Sequence, residues 1–158
     1  MAFENTIEAL QRYGQAFVNQ YKANLELSGR RASGKLLESI NTTVTIGNNN
    51  IQLILNMADY AQWIEEGRPA TSGGGDGSLY DKILEWIKVK PVLPRERNGK
   101  LPTEKQLAYL ITRKIHREGY SGSHDIVKTK FQLENVYKLI IKEALKKDFI
   151  NEYKDLLK

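Results

Sequence analysis

The sequence predicts an α+β fold: a small antiparallel sheet packed against a long N-terminal helix, middle helices and a C-terminal helix. Three observations lead there. Ile7, Leu10, Phe17, Tyr21 and Leu25 recur at three-, four- or seven-residue steps, the period of a helix with one apolar face. Val44 and Ile46, then Ile51, Leu53 and Leu55, alternate with polar residues on either side of a Gly-Asn-rich turn, the period of a half-buried hairpin. From Leu107 onward the apolar residues return to helical spacing.

The first helix is expected over residues 5–27. It runs into "SGRRASG", where Gly29, Gly34 and Lys35 stand at the spacing of a phosphate-binding loop. That loop needs a Ser or Thr after the lysine, to bind the magnesium that accompanies the phosphates, and a buried strand leading in. Here Leu36 follows Lys35 and a helix leads in, so the stretch is read as a joint between helices, with Lys35 in solvent. A short turn "KLLESI" follows, and then the hairpin, residues 42–57, with Thr43, Thr45, Gln52 and Asn56 on its polar face. Ile54 breaks the alternation and suggests partial cover on that second face.

"ADYAQWIEEG" reads as a short helix with Tyr60, Trp63 and Ile64 on one side and Gly67 as its stop. Two long loops follow, residues 67–78 and 89–102, separated by a helix that a box of Ser78 to Asp81 is expected to cap. Thr103 to Gln106 forms a second, better box, opening a helix with Leu107, Leu110, Ile111 and Ile115 along one stripe and Gly119 at its end. "YSGSHD" reads as a loop, and a last helix is expected over about 130–157. The 158 residues fit one domain, 1–158.

Composition narrows the function classes. Apolar content of 41 % and charged content of 27 % are those of a folded globular chain. The absence of cysteine excludes disulfides, thiol catalysis and thiolate metal sites. No run reaches the roughly 18 apolar residues of a membrane span, and no membrane partner is expected. The net charge of +5 is uneven: residues 41–77 carry one basic and four acidic side chains, and 78–118 carry ten and five. Unlike surfaces on one small protein suit self-association or docking on charged partners.

No constellation points to catalysis. His116 and His124 lack the third ligand and the spacing of a zinc site. Glu65 and Glu66 diverge by roughly 100° on a helix, so they make a poor acid–base pair. No serine sits in a Gly-x-Ser-x-Gly setting. Neither an enzyme nor a cofactor is expected. The basic run Arg95, Arg97, Lys100, Lys105, Arg113, Lys114 and Arg117, with Tyr109 and Tyr120 for stacking, leaves a nucleic-acid-binding domain as the alternative reading.

Three pieces in fixed order then add a resemblance: "ASGKLLESI" at 32–40, "DYAQWIEEGR" at 59–68 following the hairpin, and "LITRKIHREG" at 110–119. Together they resemble the tail-completion and head–tail joining (neck) proteins of tailed bacteriophages, over about residues 30–120. Where that family commonly continues with a Pro-Phe-Leu-like segment, this chain has "YSGSHDIVKTKF", and only Phe131 could serve as its anchor.

The resemblance implies a structural virion protein, assembled in the host cytoplasm and forming a six- or twelve-fold ring between portal and tail around the DNA channel. Its partners would be copies of itself and other neck, portal or tail proteins, with DNA nearby. It further implies that Glu65, Glu66 and Arg68 face a neighbouring subunit, and the charge split makes Arg113 and Arg117, with Arg68, the basic candidates for contact with the two glutamates. Pro69, Gly74, Asp76, Arg95, Arg97 and Lys100 would lie in loops ordered by assembly. Gly29 and Gly34 would form the helix joint, while Leu36, Leu37 and Ile40 pack under the sheet.

Overall fold

The computed structural model describes residues 3–29, 33–47, 50–71, 77–90, 92–96 and 99–157. The fold is α+β, in the order α1 (Glu4–Leu27), α2 (Lys35–Ser39), β1 (Asn41–Ile46), β2 (Ile51–Asn56), α3 (Ala61–Glu66), β3 (Gly67–Arg68), α4 (Ser78–Val89), α5 (Glu104–Glu118), β4 (Tyr120–Ser121) and α6 (Asp125–Leu156). Where the sequence is read as one domain, the chain forms two compact units. The first comprises residues 1–30, 36–59 and 124–158; the second comprises 31–35 and 60–123.

In the first unit α1 packs against α6 and against the β1–β2 hairpin. Ala9, Phe17, Val18, Tyr21 and Leu25 make the buried side of α1. The hairpin register pairs Thr42 with Leu55, Val44 with Leu53 and Ile46 with Ile51. Thr42, Val44, Leu53 and Leu55 are half-buried, while Thr43, Thr45, Gln52 and Asn56 are exposed as their alternation requires. Ile46 breaks this pattern at the hairpin end, exposed at 64 %, and Ile54 stands out on the polar face. The mid-helix Gly14 explains how close the hairpin lies: a β-carbon there would sit 2.5 Å from Thr42 Oγ1.

The α1–α6 pair is antiparallel and carries hydrogen bonds at both ends. At one end the buried carboxylate of Asp148 accepts from Asn5 N (3.1 Å), Asn5 Nδ2 (2.6 Å), Thr6 N (2.7 Å) and Thr6 Oγ1 (2.6 Å). The helix α1 has no side-chain cap of its own, because Phe3 occupies the cap position with φ 70°. A residue far along the chain therefore satisfies the N–H groups that open α1. At the other end Asn24 Nδ2 donates to Thr129 Oγ1 (2.9 Å), and Thr129 Oγ1 donates to the carbonyl of Asp125 (2.7 Å). Between them Tyr13 and Tyr137 meet with ring centroids 5.1 Å apart, and next to the Asp148 end Phe3 meets Phe149 edge-on at 5.7 Å.

Two boundary expectations are corrected. Helix α6 begins at Asp125, five residues before the expected start near 130, from a left-handed His124 (φ 53°). Helix α4 does not have Ser78 at its cap position: Gly77 (φ 84°) is the cap residue, and Ser78 is the first residue of the helix. The Thr103–Gln106 box is present as expected, with Gln106 N donating to Thr103 Oγ1 and Thr103 N to Gln106 Oε1.

Candidate functional site

The second unit holds the residues that the sequence marks as an interface, and it organises them around a backbone clasp. The two-residue strands β3 and β4 are antiparallel, with Gly67 opposite Ser121 and Arg68 opposite Tyr120. The amide of Ser123 donates to the carbonyl of Ile64 (2.8 Å), and Ser123 Oγ donates to Glu65 Oε1 (3.3 Å). Nearby, Thr71 N donates to the carbonyl of His116 (2.8 Å), and Thr71 Oγ1 lies 2.6 Å from His116 Nδ1. The end of "DYAQWIEEGR" thus lies against the residues that follow "LITRKIHREG". "YSGSHD", expected to be a loop, supplies β4.

This arrangement corrects the reading of Glu65. The side chain is buried, with 7 % of its surface exposed, and serves the clasp rather than a neighbouring subunit. Glu66, one helical step of roughly 100° away, is exposed and accepts from Gln62 Nε2 (2.9 Å). Reversing both charges would therefore test folding before it tested assembly. Arg68 is half-buried, its guanidinium carbon 5.8 Å from the centre of the Trp63 ring.

Arg113 and Arg117 lie on the exposed side of α5. Arg117 Nε donates to Glu118 Oε1 at 3.1 Å, and Lys114 Nζ lies 3.9 Å from Glu118 Oε2. The hydrogen bond from Arg117 holds the Glu118 carboxyl below the usual carboxylate range. Half of the basic face of α5 is thus already paired within its own helix. Leu110, expected on the apolar stripe, is half exposed; Ala108 is the fully buried residue of α5.

The loop residues divide by placement. Pro69, Arg95 and Lys100 are exposed, whereas Gly74, Asp76 and Arg97 lie outside the described residues. Gly29 follows the end of α1 with φ 67°, and Gly34 immediately precedes α2 with φ 86°. A positive φ is what glycine permits without a β-carbon clash, so both glycines serve the joint. Lys35 is exposed, and its amide lies 3.4 Å from Ser33 Oγ within the same turn. Lys35→Ala should leave the stability measured by thermal melting within about 0.5 kcal/mol of wild type, as for an ordinary surface position. A nucleotide affinity abolished by that substitution would restore the phosphate-loop reading.

Charge also separates the two units. The second unit has thirteen basic and eight acidic side chains, and the first has eleven of each. The whole +5 therefore belongs to the second unit. In the first unit Val127, Phe131, Val136, Leu139, Phe149 and Tyr153 all stand out from α6. The sequence reading missed this surface because α6 has apolar residues on every side, so periodicity alone did not separate the side against α1 from the sides in solvent. Among the described residues, no helix is long and apolar enough to cross a membrane. No known protein family, curated protein or solved structure matches the chain.

Proposed function

We propose that the protein is a structural subunit of a phage particle that assembles into a ring in the neck or tail-completion layer, between portal and tail. The observation that carries this reading is the exposed apolar surface of α6. Soluble monomers rarely expose large contiguous apolar patches. A 32-residue helix with Phe131, Leu139, Phe149 and Leu156 in solvent suits a chain that completes its core by association. The ordered motif pieces support the family, and the neutral first unit permits copies to meet without net repulsion. Catalysis and a cofactor have no part in the proposal.

The +5 confined to the second unit favours a second reading, a basic domain that binds nucleic acid as a monomer, since clustered Lys and Arg neutralise phosphates. Mass in solution, measured by light scattering and native mass spectrometry, separates the two. Six- or twelve-membered rings are the expected result. A monomer that binds duplex DNA, with affinity falling steeply as salt rises, would replace the first reading by the second.

A further inference from the structure

The β1–β2 hairpin is a sheet of two strands, so each strand has an outer edge. Gly47 N donates to the carbonyl of Asn50 at 2.8 Å, and this bond sets the phase of the ladder. Antiparallel neighbours alternate between pairs that exchange hydrogen bonds and pairs that do not. Thr45–Gln52, Thr43–Ile54 and Asn41–Asn56 are therefore bonded pairs, while Ile46–Ile51, Val44–Leu53 and Thr42–Leu55 are not. The amides and carbonyls of Thr42, Val44 and Ile46 point outward from β1, and those of Ile51, Leu53 and Leu55 point outward from β2. Among the described residues, no backbone hydrogen bond joins these groups to another element.

Natural sheets protect bare edges with charged side chains, prolines, bulges or a covering element. Residues 39–58 carry no charged side chain, in a chain that is 27 % charged, and they contain no proline. The register runs one-to-one over the six residues of each strand, without a bulge. Helix α1 lies across the face of the hairpin rather than along an edge, since a β-carbon at Gly14 would meet both Thr42 and Leu53, one on each strand. Neither edge is blunted.

We infer that the outer edge of β1 takes the outer edge of β2 from a second copy of this chain, antiparallel, so that the hairpins form one sheet between copies. The inference rests on the ring reading and deepens it by naming the contact. The occupant follows from both edges being bare. A two-fold contact of β1 with β1 leaves the β2 edges unpaired, and a foreign strand covers one edge at a time. Only β1 against β2 satisfies both edges of every copy with a single contact. The strand directions agree. Because β1 and β2 run oppositely within one hairpin, copies related by rotation about an axis along the strands meet antiparallel. Such a head-to-tail contact closes into a ring when the rotation allows. With no charge in the hairpin, identical segments lie side by side without like charges opposite one another. A six-residue edge is small beside the roughly 1,600 Å² that a stable interface buries. It sets the register of a contact to which the exposed side of α6, in the same unit, can add apolar area.

Hydrogen exchange read residue by residue tests the contact. In protein diluted to the monomer, the outward amides of Val44 and Leu53 should exchange fast, while those of Thr43 and Ile54 are protected by the hairpin. In the assembled protein Val44 and Leu53 should slow by at least tenfold. Ile46→Pro removes an outward amide and no bond of the hairpin, a position where an edge strand tolerates proline. It should weaken association at least tenfold and leave the melting temperature of the monomer nearly unchanged. Association of this variant with wild-type strength would overturn the inference. So would protection of Val44 and Leu53 already in the monomer, which would mean that the edges are covered within one chain. Protection of only one of the two in the assembly would show that like edges, or a different strand, meet there. A wild-type ring in which both exchange as in the monomer would overturn this contact and leave the ring reading standing. A wild type that is monomeric at every concentration would remove both.

Discussion

Replacing Asp148 with alanine should destabilise the α1–α6 pair by about 2–4 kcal/mol, combining a lost N-terminal cap with lost hydrogen bonds to a charged acceptor. The carboxylate is buried and accepts four hydrogen bonds from Asn5 and Thr6, and no side chain of α1's own cap residue can replace it. It also places negative charge at the positive end of the α1 dipole. A loss of this size lowers the melting temperature by roughly 5–15 °C for a chain of this length. An unchanged melting temperature would mean that water satisfies the first turn of α1 equally well.

The same group sets a pH dependence. Burial pushes the Asp148 carboxyl up, but the hydrogen bonds from the side chains and amides of Thr6 and Asn5 outweigh it and hold the carboxyl below its ordinary value. A carboxyl depressed in the folded state binds its proton more readily when unfolded, so stability rises with pH across this window. The contribution is complete above the unfolded value of about 4 and is lost as pH falls through the lower folded value. Asp148→Asn removes the titrating group and should flatten this part of the acid-unfolding curve. If the wild-type protein and the Asp148→Asn variant gave curves of the same shape below pH 4, Asp148 would play no part in acid unfolding.

Local pattern carried much of this fold. The bounds of α1, the hairpin and α5 follow from apolar period, a Gly-Asn turn and a Thr-x-x-Gln cap, all contained in short windows of sequence. What escaped was contact between distant residues. Asp148 caps α1 through Asn5, 143 residues before it, and no local rule links an aspartate in α6 to Asn5. The start of α6 escaped because His124 enters the helix in a left-handed conformation, with no side-chain cap. Ser78 looked like a cap because its spacing to Asp81 was right, but Gly77 takes the cap position and Ser78 is already helical.

The interface candidates show a similar limit. Glu65 and Glu66 are the same residue type side by side, and only their different directions on α3 make one buried and the other exposed. The resemblance places Glu65 against a partner, while Gly67 reads as a helix stop and Ser123 as part of a loop. Glu65, Gly67 and Ser123 instead meet one another inside the second unit. The residues that make these motifs conspicuous therefore have a structural reason within one chain, which moves the search for an assembly surface to α6.

That clasp leads to the second large effect. Alanine at Gly122 would put its β-carbon 1.9 Å from the carbonyl oxygen of Glu65 and 2.4 Å from its carbonyl carbon, and backbone on that side cannot rotate away. Gly67 and Gly119 meet the same obstacle in a left-handed conformation. Their β-carbons would lie 2.2 Å from the Tyr120 oxygen and 2.3 Å from the Arg68 oxygen, at φ 83° and 67°. Each substitution should cost about 3 kcal/mol or more, from overpacking and, at Gly67 and Gly119, added backbone strain. Gly77→Ala is the control: φ is 84°, but no described atom lies within 4 Å, so strain alone acts and the loss should stay near 1 kcal/mol. Thermal melting gives the size of each loss, and hydrogen exchange locates it. The Ser123 amide, bonded to the Ile64 carbonyl at 2.8 Å, should lose protection in Gly122→Ala, while amides in the middle of α1 keep theirs. If Gly122→Ala melts like wild type with Ser123 still protected, the close approach of β3 and β4 is not what holds the second unit together. The two motif pieces would then need another reason to contain their glycines.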